Sequence, residues 1–172
     1  MPYQCARVAA MVVAALGLLA PHAAADTQQP KPPSGWRLLR TANPRGGPDA
    51  VSISHTPDVT RSDLDLAGLM LRCGEKGVEV LVVVVTPFSP RARPDVTIEV
   101  AGKEWRFGAQ VVSPGAELLL PAEAMALVAG PWRSARELAV KVTSQEQSFG
   151  GVVPVAGITE ALSTLVANCP GG

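Results

Sequence analysis

The stretch LAGLMLRCGEKGVEVLVVVV, Leu66 to Val85, holds two apolar runs separated by a short charged turn, with Cys73 at the junction. It could be a membrane segment, a reactive thiol site or the middle of a core. The run Val78 to Val85 is far shorter than the roughly 20 residues that cross a bilayer as a helix. It is rich in valine, whose β-branched side chain suits a strand covered on both faces. The segment CGEKGV between the runs carries two glycines and two charges, as a tight hairpin connection requires. Leu66–Cys73 and Val78–Val85 are therefore expected to be adjacent antiparallel core strands.

Short strands punctuated by Pro/Gly turns continue on both sides. GWRLLRT (Gly35–Thr41) reads as a first strand, and in VSISH the residues Val51, Ile53 and His55 share one face by the period-two rule. VTIEV, a turn at Ala101-Gly102 and EWRFGAQVV predict a second hairpin with Trp105, Phe107, Ala109 and Val111 on one face. ELAVKVT alternates through Leu138, Val140 and Val142. SFGGVVPV is a further strand, whose glycines we expect to mark a bulge.

Two segments change period. PAEAMALVAG places Ala124, Leu127 and Val128 at helical spacing, with Pro121 suited to a first helical position and Gly130-Pro131 as a stop. In AGITEALSTLVANC, the residues Ile158, Ala161, Leu162, Leu165, Val166 and Cys169 form an apolar helical stripe. The expected fold is mainly β, with β-sandwich-like antiparallel sheets, a short inserted helix and a C-terminal amphipathic helix packed on the sheet.

The amino terminus reads as an address. Arg7, the apolar run Val8–Ala20 and the small residues Ala23-Ala24-Ala25 have the three-part pattern of a secretory signal peptide over residues 1–25, cut before Asp26. Residues 26–35 are a proline-rich leader of extended character, and residues 36–172 a single β-rich domain. Cys5 precedes the apolar run and leaves with the signal. Cys73 and Cys169 then remain in an oxidising compartment, where an even number of cysteines implies a disulfide. Cys73 shares a strand face with Leu69 and Leu71, and Cys169 lies on the helical stripe, so a bridge between them would staple the helix to the sheet. The chain-entropy model assigns so long a loop about 4 to 5 kcal/mol at most.

Chemistry-bearing patterns are sparse. The chain has 15 basic and 15 acidic residues and no formal net charge, which gives no footprint for nucleic acid. No CxxC, metal-ligand cluster, P-loop or GxSxG elbow occurs, and no cofactor is implied. Past the expected cleavage site the one histidine is His55. A small periplasmic hydrolase using His55 with a nearby carboxylate, Asp63 or Asp65, is the enzymatic alternative. Asp58, Asp63 and Asp65 lack the glycine and closing glutamate of a calcium loop and read as a solvated turn. The loop PFSPRARP sets Phe88, Arg91 and Arg93 among three prolines. An aromatic with arginines on a stiffened backbone makes this the first candidate for a partner surface.

Leu69, Arg72 and Cys73 on one strand, with Gly157, Ile158, Ala161, Leu162, Leu165 and Cys169 in the closing helix, resemble the VasI-type proteins associated with type VI secretion. Val153 and Pro154 stand where those proteins usually carry a Phe-Asp pair. There is a fainter likeness to the invasion-associated locus B proteins. Both resemblances imply an exported β-rich domain. The expected function is that of a noncatalytic binding or accessory domain of the bacterial cell envelope, periplasmic or secreted, whose partner is another envelope or secreted protein; the VasI-type resemblance implies a secretion association.

Overall fold

A computed structural model describes residues 32–44, 46–112 and 114–170; the expected signal peptide, residues 1–25, and residues 26–31 of the expected leader lie outside that range. Among the described residues ten strands, two α-helices and one short 3-10 helix follow in chain order: β1 (Trp36–Thr41), β2 (Ala50–His55), β3 (Leu66–Gly74), β4 (Gly77–Val84), β5 (Asp95–Val100), β6 (Lys103–Gly108), β7 (Gln110–Val112), β8 (Glu117–Leu119), α1 (Glu123–Ala129), the 3-10 helix (Pro131–Ser134), β9 (Glu137–Thr143), β10 (Ser148–Pro154) and α2 (Ile158–Val166). One antiparallel sheet has the order β1-β2-β3-β4-β8-β7 and the other β10-β9-β5-β6. The expected mainly β, sandwich-like architecture with two helices is what forms.

Alternation explains the core. Val51, Ile53, Leu69, Leu71, Val80 and Val82 on the larger sheet and Val96, Ile98, Leu138, Val140 and Val142 on the smaller are buried in one shared cluster. β3 and β4 are joined through Glu75-Lys76, with Gly74 opposite Gly77. Their register shifts between Leu66 and Gly68, where φ is +142° and a Cβ would run into the His55 carbonyl. A glycine is needed there to let β2 and β3 approach.

Helix α2 packs on β2 and β3, and α1 on β4. Cys73 and Cys169 are bonded, with Cα atoms 5.7 Å apart across a sequence separation of 96. The staple joins the tail of α2 to β3 as the apolar faces predicted.

Several details depart from the pattern read in the chain. EWRFGAQVV is two strands, because the chain leaves the smaller sheet after Gly108 and enters the larger at Gln110, while the Ala109 amide donates to the Pro94 carbonyl (2.9 Å). Trp105 and Phe107 therefore belong to one sheet and Val111 to the other. Pro121 sits ahead of α1, its carbonyl accepting the Ala124 amide at 2.9 Å. On α2, Val166 is 51 % exposed, whereas Thr164 and, just past the helix end, Asn168 are buried. Thr164 donates to the Glu160 carbonyl and Asn168 to that of Thr164, both at 2.8 Å, so burial leaves these groups bonded.

The glycines of β10 mark no bulge; β10 pairs with β9 in unbroken register. Gly151 instead admits the 57–65 loop, while a Cβ on Gly150 would run into the Val140 carbonyl of β9. A Cβ on Gly151 would overlap Ser62. The Asp58 and Asp63 amides donate to the carbonyls of Val152 and Gly150, while the Val152 amide donates to Ser62 Oγ and the Gly150 amide to Asp63 Oδ2. The outer edge of β10 is thereby covered.

Candidate functional site

The proline-rich loop after β4 is built around a buried ring. Phe88 is 6 % exposed; its ring lies 6.3 Å from that of Phe149 on β10, and its amide donates to the Gly115 carbonyl at 2.9 Å. Phe88 is thus the plug that holds the loop down, rather than a contact offered to a partner. Beyond it the Ala92 amide donates to the Ser89 carbonyl at 2.9 Å, closing a turn with Pro90 at its second position, where the fixed φ of proline is favoured. That turn leaves Arg91 and Arg93 exposed.

The β9–β10 turn, Ser144–Gln147, faces them. The Ser144 amide donates to the Gln147 carbonyl (2.8 Å), and Ser144 Oγ accepts from the amides of Glu146 (3.3 Å) and Gln147 (3.1 Å). The hydroxyl replaces a backbone acceptor and fixes the turn. Between the two walls lies an open groove of about 400 Å³, lined by Pro87, Ser89, Arg91, Ala92 and Arg93 on one side and Ser144–Gln147 on the other, over Phe88.

The groove carries two cations without an acidic partner among the described residues. Arg61, Arg72 and Arg106 each hold a carboxylate within 2.8 Å. Among the described residues neither Arg91 nor Arg93 is paired with a carboxylate; Arg93 donates to the neighbouring Ala92 carbonyl at 2.9 Å. Glu146 is the single acid among the groove residues. Sequence reasoning located the arginines but missed the facing turn, for which SQEQ carries no recognisable signal.

The enzymatic candidates are dispersed. His55 Nδ1 donates to the Thr56 carbonyl at 2.8 Å, and the ring stands edge-on to Trp36, centroids 5.3 Å apart. Each nearby acid closes its own local contact. Asp58 accepts from Thr60 and Arg61, Asp63 from the Gly150 amide, and Asp65 from the Thr86 hydroxyl at 2.6 Å. Hydrogen bonds from Thr60 and then Arg61 hold the Asp58 carboxyl down at about 2. Arg61 also forks onto both Glu137 oxygens, lowering that carboxyl, and its own pKa is raised in return. The three aspartates thus fasten loops and do not converge on His55.

Among the described residues no three His, Cys, Asp or Glu side chains group as metal ligands, and no helix is long and apolar enough to cross a membrane. Comparison with protein-family models, curated proteins and solved structures yields no match to this chain.

Proposed function

We propose that the chain is an exported, noncatalytic binding or accessory domain of a bacterial cell envelope, and that its partner seats in the groove between the 87–93 loop and the Ser144–Gln147 turn. The observation that carries this reading is a concavity walled by two hydrogen-bonded turns and bearing two arginines without carboxylate partners. A loop already ordered by prolines, a turn and a buried ring loses little conformational freedom on binding. Export is supported by the signal-like amino terminus and by the disulfide, a bond that persists in oxidising compartments. The likeness of Leu69, Arg72, Cys73 and the closing helix to VasI-type proteins supports a link to secretion. The hydrolase alternative draws no support from His55, whose polar contact is a backbone carbonyl.

Site-specific photocrosslinking in the producing cell tests the reading. A photoreactive side chain at Ser89 or Gln145 should give a discrete adduct that is absent when the same group replaces Lys141 on the smaller sheet. Adducts at Lys141 with none at the groove positions would refute the assignment.

A further inference from the structure

Resting on the groove as the binding site, we infer that its ligand is an acidic peptide segment of another exported protein, held through a carboxylate by Arg91 and Arg93. A guanidinium presents a planar fork of donors that matches a carboxylate, and such charge-assisted pairs are stronger than neutral hydrogen bonds. Some arginines have that partner supplied in cis: Arg61 takes Glu137, Arg72 takes Glu79 and Glu117, and Arg106 takes Asp95. Arg37, Arg133 and Arg136 are exposed without such a partner among the described residues, as Arg91 and Arg93 are, but Arg91 and Arg93 line one concavity together. At the groove the chain supplies the donors and leaves the acceptor to come from outside.

The other groove residues select for peptide among anions. Ser89, Gln145 and Gln147 offer side-chain donors and acceptors together, as the N–H and C=O groups of an extended backbone require. Pro87 and Ala92 add an apolar floor over the buried Phe88 ring. Glu146 opposes the arginines across the groove, so a ligand must bring its carboxylate to one wall and an N–H or cation to the other. That polarity fixes a direction for the bound segment. A phosphate-rich membrane surface is disfavoured by the same carboxylate and by a chain of zero formal net charge, since such surfaces are held by clusters of basic residues.

The test uses the full folded domain with its disulfide intact. Two libraries of acetyl-capped octapeptides are titrated, one with two central carboxylates and one with those groups as amides, and backbone amide shifts are followed by NMR. The carboxylate library should shift the amides of Ser89, Arg91, Arg93 and Gln145–Gln147, and the amide library should not. R91Q/R93Q should weaken binding at least about tenfold, the loss expected for hydrogen bonds to a charged group. R91K/R93K, which keeps the charge without the fork, should fall between. Equal response to both libraries, or shifts confined to another surface, overturns the inference. So does binding of inorganic phosphate or of phosphatidylglycerol vesicles at the groove without binding of peptide. If crosslinked adducts at Ser89 and Gln145 persist undiminished in R91Q/R93Q, the groove stands as the binding site and the acidic ligand is lost; if those adducts are absent from the parent protein, the groove itself fails.

Discussion

The guanidinium of Arg72 on β3 reaches past β4 to Glu117 on β8 at 2.8 Å while also holding Glu79 on β4 at 2.7 Å. In the register of the sheet Arg72 stands opposite Glu79, Glu117 stands opposite Val83, and Leu81 lies between them. The bridge therefore passes over Leu81. By alternation Leu81 and Met70 point away from the sandwich core, yet both are buried and neither belongs to the main cluster. Charged groups here shield an apolar floor on the outer face.

Removal of Arg72 should cost more than removal of an ordinary surface charge. Arg72→Ala uncovers Leu81 and leaves Glu79 and Glu117 without their shared cation, a loss of about 1 to 2 kcal/mol for a partly buried pair. Urea denaturation measures it. Glu117→Gln in the same chain should restore part of the loss, and an unchanged midpoint for Arg72→Ala would remove the bridge from any account of stability.

The disulfide gives a second expectation. Cys73→Ala, Cys169→Ala and the double variant should each lose about 2 to 4 kcal/mol, and by nearly equal amounts, because one substitution already breaks the bond. Coincident urea curves for parent and double variant would show that packing of α2 suffices alone.

Trp132 offers a third. It lies in a 3-10 helix, Pro131–Ser134, wholly buried, and its indole Nε1 has no hydrogen-bond partner among the described residues. Trp132→Phe removes that donor and part of the ring without breaking a bond. It should cost clearly less than Trp132→Ala, for which about 3 to 5 kcal/mol is typical of a buried aromatic. Equal destabilisation by the two variants would mean that the indole nitrogen is essential.

Acid should loosen the 57–65 loop before it unfolds the sheets. Asp58, held at about 2 against an ordinary 3.8, and Glu137, also lowered, are carboxyls whose folded pKa lies below the unfolded one. Their contribution is present above the unfolded value and is lost as pH falls through the folded one. Faster amide exchange at Asp58 and Asp63 relative to β9, setting in between pH 3.8 and about 2, is the expected result. In Arg61→Gln the onset should move to higher pH. Protection at Asp58 that does not change across that interval would count against the clamp.

Strand alternation made most of the core legible, because Val51, Ile53, Leu138, Val140 and Val142 lie on half-buried strands whose period is visible in one dimension. The cysteine pair was legible for the same reason, each sulfur sharing an apolar face. What escaped depended on contacts distant in sequence. The run Glu117–Leu120 has no alternation, so β8 could not be told from a loop until β4 lay beside it. Thr164 and Asn168 look solvent-facing beside Val166, yet local hydrogen bonds let them take the buried positions. Phe88 carried the composition of a contact residue, and its burial beside the Phe149 ring identifies it as an anchor. The arginines of the groove could be read from the loop, while the wall that makes them a groove lies on another hairpin.

The Cys73–Cys169 bond also determines how the domain would bear load. β3 is the third strand of the larger sheet, flanked on both sides by hydrogen-bonded neighbours. A pull applied beyond Cys169 passes straight through the sulfurs into β3, bypassing α2 and the whole smaller sheet. Force arriving there meets the β3 ladders to β2 and β4 before any other part of the fold, and the β9–β10 hairpin of the groove lies in the other sheet.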